Sequence, residues 1–376
     1  MINNKIEIIE VKTRKQINLF TEFPNKLYKN VKDYVPPLSR DEKNLFNKKK
    51  NPCHDYCDSI RFLAYKNNKL VGRIAGIINF NWNQQVNEKI LRFTRLDMID
   101  DIEVTKALFD RLIKWGKQYN LNKVIGPIGF ADTDRQGMLV EGFNEKGSFI
   151  TIYNHPYYVK HLEELGFLKD VDWIEKRITI PSEVPEKLLK VSNLIKKRYG
   201  YYLVDLKSRA QLRKEIPSVF NIYNEAFMKL YGFYPLTDKV RDYYINQFIG
   251  IIKLDYVWII KDKNDDVIGM GVVNPCLANA SKKSKGKLFP FGWYRILKAI
   301  KHNTVVDFYF IAIKPEFQSK GVLALLLESG LKSLIKNGIK YAETGPELEE
   351  NYQVQAIWKD YDYIEHKRRR CFKKEL

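Results

Sequence analysis

Phe310-Ile311-Ala312-Ile313-Lys314-Pro315-Glu316-Phe317-Gln318-Ser319-Lys320-Gly321-Val322-Leu323-Ala324 decides how the rest of this 376-residue chain is read. It reads as a strand, a short polar loop closed by Gly321, and the start of a helix with apolar periodicity from Val322 to Lys336. A loop that leaves backbone N–H groups free at a helix N-terminus is a seat for a pyrophosphate. The helix dipole favours negative charge there, and Lys320 adds a cation. The plainer alternative is a loop that only caps its helix.

Working outward, the chain repeats itself. Leu63 to Gly72, running on to Asn79, reads as strand, polar turn, strand, and Ile259 to Gly269, running on to Asn274, reads the same way. A periodic helix then leads to a strand ending in Gly-Pro: Ala107 to Gln118 and Val124-Ile125-Gly126-Pro127 in the first copy, Val322 to Lys336 and Tyr341 to Gly345-Pro346 in the second. Asn154-His155-Pro156-Tyr157-Tyr158 to Gly166-Phe167 parallels Asn351-Tyr352 to Asp362-Tyr363. Asn79 and Asn274 are 195 residues apart, but Gly126 and Gly345 are 219 apart, so the second copy carries 24 extra residues between hairpin and helix. The segment 277–303 supplies them. The expected division is a first domain over 1–180, a connecting helix over 181–200 framed by Pro181 and Pro185, and a second domain over 201–376.

The order of helices, hairpin, strand, helix, strand, helix, strand resembles the GCN5-related N-acetyltransferase (GNAT) fold, and residues 310–324 are similar to that family's signature. The resemblance implies an α/β protein of two tandem GNAT-like domains, each a mixed central sheet flanked by helices. It implies that the second copy binds acyl-CoA or an acyl-phosphopantetheine as co-substrate, without a metal. Ile311 and Ile313 would offer main-chain groups to the pantetheine arm, and Gln318, Ser319, Lys320, Gly321, Val322 and Leu323 would hold the pyrophosphate, with Asn351 nearby. Two positions depart from the pattern: Leu323 stands where Gly or Ala is usual, and Trp358 where many members place the tyrosine that reprotonates the leaving thiolate. The first copy has no such loop, since Leu96-Asp97-Met98-Ile99-Asp100-Asp101 enters its helix through acids that would repel phosphate. Its expected role is to shape the acceptor site or support its partner.

N-acylation needs a neutral amine, hence a base or a water chain. In this fold the base commonly sits on a central strand, which offers Asp307 and Glu343; alternation favours Glu343, and for each the alternative is a structural ion pair. Tyr309 and Tyr361 are candidates to reprotonate the thiolate. Over nearly its whole length the chain is also similar to bacterial tandem-copy proteins of this fold, a group that includes ceramide synthases. That likeness rests on Asp33-Tyr34-Val35-Pro36-Pro37-Leu38, Gly72-Arg73-Ile74-Ala75, Leu139-Val140-Glu141-Gly142-Phe143, Tyr231 to Thr237 and Gly286-Lys287-Leu288-Phe289-Pro290.

Composition bounds the partners. Lys+Arg minus Asp+Glu is 64 − 45 = +19, which suits an acidic counterpart: a phosphorylated cofactor, an acyl carrier protein, an anionic membrane or nucleic acid. The longest uncharged stretch, Val267 to Ser281, falls short of the ~20 apolar residues of a membrane span. The opening residues show no apolar leader core, so the expectation is cytoplasmic, with peripheral contact at the inner membrane. Cys53-His54-Asp55-Tyr56-Cys57 resembles half a zinc site with no second half, and reads as two buried thiols. No G-x-S-x-G, P-loop or G-x-G-x-x-G occurs.

The extra segment interleaves aromatic and aliphatic residues with cations over 281–302, placing Ile296, Leu297 and Ile300 on one helical face. This suits an anionic membrane interface or a helix packed on the core; nucleic acid is the least favoured partner. Residues 129–137, with Asp132, Asp134 and Arg135, read as a polar loop that lines the acceptor pocket or serves as plain turn chemistry. Lys367-Arg368-Arg369-Arg370 reads as a solvated strand edge. The favoured function is an N-acyltransferase moving an acyl group from a thioester to a small-molecule amine, a sphingoid base being the preferred lipid acceptor. The alternatives are an acetyl- or aminoacyl-transferase acting on a non-lipid amine, and a non-catalytic binding protein.

Overall fold

The computed structural model describes residues 5–376. Seven strands come from the first copy: β1 (Ile6–Glu10), β2 (Cys57–Lys66), β3 (Lys69–Asn79), β4 (Ile90–Met98), β5 (Lys123–Gly126), β6 (Met138–Glu141) and β7 (Leu168–Thr179). The second copy supplies β8 (Tyr202–Leu203), β9 (Val257–Lys261), β10 (Val267–Pro275), β11 (Val305–Ile313), β12 (Tyr341–Glu343), β13 (Glu347–Leu348) and β14 (Tyr363–Glu375). All belong to one sheet in the order β1-β2-β3-β4-β5-β14-β7-β12-β11-β10-β9-β8, with β6 on β14 and β13 on β7.

Local sequence accounts for most of these elements. Asn67 and Asn68 both adopt positive φ (51° and 60°), the conformation that a two-residue hairpin turn needs, and so join β2 to β3. The matching turn before β10 is longer and is held by Asp262, whose carboxylate accepts from the backbone N–H groups of Asn264 and Asp266 at 2.9 and 3.1 Å. Thr13 and Ser208 each build a capping box with a Gln three residues on, which starts the helices Arg14–Leu27 and Arg209–Phe227. The 24-residue excess in the second copy is a helical hairpin, Ala278–Ser284 and Gly292–Lys301. The first copy has only Phe80–Val86 at that point.

The copies are joined by exchange. The last strand of the first copy, β7, pairs with β12 and β13 of the second. The last strand of the second, β14, pairs with β5 and β6 of the first. The two exchanged strands also pair with each other, antiparallel, from Tyr363↔Ile178 to Lys373↔Leu168. Each half is therefore completed by a strand from the other. One apolar cluster also crosses the halves, bringing Tyr223, Phe233 and Tyr244 against Phe20, Phe46 and Phe130.

This arrangement corrects the reading of Lys367–Arg370 as a solvated edge. The run lies at the centre of the sheet, with Lys367 and Arg369 almost wholly buried. Glu175 receives both, Lys367 Nζ at 3.2 Å and the Arg369 guanidinium in a direct ion pair. Asp172 takes Arg370 at 2.8 Å. Burial alone would raise Glu175, but Arg369 and Lys367 hold it down at about 2. Cys53 and Cys57 are buried in the cluster that crosses the halves, as expected of ordinary thiols.

Removing the acid from this pairing leaves buried Arg369 without a carboxylate and Lys367 with Glu343 alone. Glu175→Gln is expected to cost on the order of 3–5 kcal/mol, read as a lower urea midpoint at unchanged slope. Glu186→Gln, which breaks the exposed Glu186–Lys190 pair, is expected to leave the midpoint where it is.

Candidate functional site

The parallel pairs β4–β5 and β11–β12 are where the copies differ. β11 pairs with β12 only over Val305–Asp307, while β11 itself runs on to Ile313. From Phe308 onward the edge of β11 that faced β12 is free. β4 diverges from β5 in the same way after Arg92. There, however, the gap is filled: the Tyr158 hydroxyl accepts from the Met98 N–H at 3.1 Å, and the Tyr157 hydroxyl donates to the Met98 carbonyl at 2.7 Å. Tyr28 backs them, bonded to Tyr158 and Asp97 at 2.8 Å each. The first copy's groove is thus plugged by tyrosines, and the second copy's groove is open.

The open groove leads into a cavity of about 980 Å³ between the halves. From the second copy its wall includes Phe308, Tyr309, Ile311, Ile313, Gln318, Ser319, Leu323, Asn351 and Trp358. Tyr309 reaches it because it is the extra residue of a bulge, where Val272 pairs with Phe310 and Val273 with Phe308. From the first copy come Glu42, Arg95 and residues 132–136. The floor is apolar, with Val219, Phe220 and Met270 among the wall residues.

The loop before the helix Val322–Lys336 fits an anion. Gly321 caps that helix with φ of +79°, a conformation that disfavours a side chain. The backbone N–H groups of Ser319, Gly321, Val322 and Leu323 have no acceptor among the described residues, while that of Ala324 turns back to the Gly321 carbonyl. Lys320 lies over the Phe317 ring at 4.6 Å, free of any carboxylate among the described residues. Leu323, the departure from the family pattern, is one of the cavity-wall residues.

The expected site residues fall into two groups. Ile311, Ile313, Gln318, Ser319, Leu323 and Asn351 line the cavity; Lys320 and Gly321 stand beside it, and Val322 is buried in the second core. The carboxylates lie deeper. Glu343 is bound by Arg177 Nε at 3.0 Å and Lys367 Nζ at 3.3 Å, with His366 Nε2 at 3.6 Å. Asp307 pairs in register with Glu343 and is raised to about 7, first by burial and then by the Glu343 charge. Tyr361 packs against Trp358 at 6.4 Å between ring centres.

Two cavity residues, Glu347 and Asn274, carry chemistry that the sequence did not single out, and a third, Asp132, was named there as a candidate wall residue. Glu347 accepts from the Trp358 indole N–H at 2.7 Å, with Lys176 Nζ at 3.4 Å. Burial raises it to about 7, although Trp358 and Lys176 oppose the shift. Asn274 is 2% exposed, and neither side-chain heteroatom has a partner among the described residues. Its counterpart Asn79 is satisfied, accepting from the Trp82 N–H at 2.9 Å. Asp132, read from the sequence as part of a loop that lines the acceptor pocket or serves as turn chemistry, accepts from the Tyr223 hydroxyl and is raised to about 6, chiefly by burial. The one signal for Glu347 was Trp358, since a buried indole N–H needs an acceptor.

The architecture is a tandem GNAT-like fold with one open groove. The chain superposes on a tandem GNAT protein from the clavulanic acid biosynthesis pathway with a TM-score of 0.56, at 10% identity, covering 99% of this chain and 98% of that one. A GCN5-related glucosamine N-acetyltransferase region of a fungal multi-domain GH3 β-N-acetylglucosaminidase gives 0.58 at 10% identity, covering 99% of this chain and 38% of that one. In sequence the chain is 25% identical to Protein YghO of Escherichia coli (strain K12) over 376 residues, 96% of this chain and 94% of that protein. It is 24% identical to Bacterial ceramide synthase of Caulobacter vibrioides (strain NA1000 / CB15N) over 323 residues, 84% and 83% of the two. No protein-family model matches the chain.

Asp307 gives this region a testable pH signature. Its folded value lies above its ordinary 3.8, so the native state binds the proton more tightly, and the stability held at low pH is lost as pH rises from about 4 to about 7. Asp307→Asn removes that slope. Relative to wild type it should gain stability across this window, by about 1.4 kcal/mol for each unit between the folded and unfolded values. Urea midpoints of both proteins at acid and mildly alkaline pH read this directly.

Proposed function

We propose that the protein is an N-acyltransferase that moves a long acyl chain from a pantetheine thioester to the amine of an amphiphile of the sphingoid-base type. The observation that carries this reading is the apolar cavity of about 980 Å³ continuous with the open groove of the second copy. An acetyl group and a small amine need far less apolar space. The fold supports acyl transfer, and the 24% identity to a protein named Bacterial ceramide synthase supports a lipid amine.

In this reading Ile311 and Ile313 on the unpaired edge of β11 hold the pantetheine, and residues 319–323 with Lys320 hold the phosphates. Asn274 supplies donor and acceptor to the polar end of the acceptor. Glu347 receives one proton from the incoming ammonium, which frees the nitrogen lone pair. As the C–N bond forms and the C–S bond breaks, the second nitrogen proton ends on the thiolate sulfur, giving amide and free thiol; Glu347 returns its own proton to solvent. Asp307 and Glu343 sit behind this pair and set the charge around Lys367 and Arg177.

The test mixes purified protein with a long-chain acyl-CoA or acyl carrier protein and a sphingoid base, and measures thiol release and amide mass. Amide is expected with long-chain donors, and Lys320→Glu should lower it strongly by setting a carboxylate in place of the free cation beside the loop. Wild-type rates should fall as pH drops below about 7, where Glu347 becomes protonated, and Glu347→Gln should lower kcat on the order of 10²-fold or more with that limb gone. Absence of amide from every thioester, with the protein folded, sinks the proposal.

A further inference from the structure

Five exposed apolar side chains cluster in one short segment of the second copy. Phe289 (79% exposed), Phe291 (65%), Trp293 (48%), Tyr294 (56%) and Leu297 (53%) lie within nine residues at the tip and outer face of the helical hairpin. The same segment carries Lys282, Lys283, Lys285, Lys287, Arg295, Lys298 and Lys301, and no acid occurs from Val267 to Val306. Lys283, Lys285, Lys298 and Lys301 pair with no carboxylate among the described residues; Lys287 only approaches Glu22, at 3.8 Å.

The hairpin is fixed, not loose. Ser281 donates to the Pro36 carbonyl at 2.6 Å, and the Ser39 N–H donates to the Gly286 carbonyl at 2.9 Å. Gly286, at φ +69°, lies so close to the Pro37 carbonyl that a Cβ would meet it at 2.1 Å. Ile296 turns inward, buried with Val35 and Phe149, and is one of the residues lining the cavity. The helix Gly292–Lys301 is therefore cavity wall on one side and exposed aromatic-basic surface on the other.

We infer that this face docks the protein on an anionic phospholipid bilayer, so that the acceptor amphiphile passes from the headgroup boundary into the cavity behind Ile296. Charge complementarity and composition select the occupant. Lysines meet lipid phosphates while Phe, Trp and Leu side chains enter the boundary between headgroups and acyl chains. A single-stranded nucleic acid would instead need ring faces set along a groove; here the exposed rings of Trp293 and Tyr294 stand edge to face, with Leu297 exposed beside them. The inference takes from the proposed function only that the acceptor is an amphiphile.

The experiment is co-sedimentation of full-length protein with vesicles of phosphatidylcholine containing about 30 mol% phosphatidylglycerol, against phosphatidylcholine alone, near physiological salt. Wild type is expected to sediment with the anionic vesicles only. Trp293→Glu and Leu297→Glu, both at exposed positions, should each lower partitioning at least about ten-fold with unchanged thermal unfolding, and each of Lys298→Ala and Lys301→Ala roughly five-fold. Wild type remaining in solution overturns the inference. So does binding that single-stranded RNA displaces and that Trp293→Glu and Leu297→Glu leave intact, which would mark a nucleic-acid surface. No substrate enters this assay, so it fails or succeeds independently of acyl transfer. Unchanged turnover of detergent-dispersed amine by Trp293→Glu, with lost turnover of vesicle-borne amine, would place the defect in docking alone.

Discussion

The pairing of β7 with β14 is the contact on which the rest depends. Neither strand completes the sheet of its own copy. Each finishes the other's, so the halves cannot separate without exposing a free edge on both. The register is set by charge. Along β14 the cations of residues 367–370 point alternately to the two faces, and each face of β7 holds one acid to meet them, Glu175 on one and Asp172 on the other. A slip of one residue would exchange the faces and leave cations buried without partners. A polar network at the centre of a sheet is a weak source of stability but a strong selector of register, and register here fixes where Glu343 and Glu347 stand relative to β11.

Duplication followed by divergence explains how one groove stays open. Both copies splay their parallel strands, and both follow them with a short helix that begins at a tyrosine, Tyr157–Glu164 and Tyr352–Ile357. In the first copy the tyrosines of that helix turn inward and bond the main chain at Met98. In the second, the corresponding Tyr352 is exposed and Asn351 lines the cavity. The asparagines ending the hairpins diverge likewise: Asn79 caps a helix, and Asn274 is left without a partner beside the cavity. The first copy closes its groove and contributes cavity wall, and the second keeps its groove open.

What the sequence disclosed was local. The hairpin turns, the capped helices, the Gly321 loop and the 24-residue insertion all rest on neighbours within a few residues, where residue type restricts conformation directly. The strand exchange rests on contacts nearly 200 residues apart, such as Arg369 with Glu175, which no periodicity encodes. The run at 367–370 looked solvated because four adjacent cations usually are, and only the distant acids make a buried strand of them. Glu347 was hidden for the same reason. Nothing beside it in the sequence marks it, and its character comes from the cavity and from Trp358, eleven residues on.

The buried acids of this protein separate into two kinds, and the separation is physical. Glu175 and Glu42 are both buried, yet both are held at about 2, because a guanidinium bonds each directly and outweighs the loss of water. Glu347, Asp307 and Asp132 are raised to about 6 or 7, since their neighbours are an indole N–H, another carboxylate and a phenol, with at most a lysine at longer range. An acid locked to arginine is a structural part with no proton to exchange near neutrality. An acid desolvated beside weak donors is balanced between its two forms at the pH where an ammonium must give up a proton. Glu347 and Asp132 line the cavity, and Asp307 lies behind it. Both kinds therefore meet at the cavity: Glu42, locked to Arg95, in the first copy's wall, and Glu347 and Asp132 in their raised state.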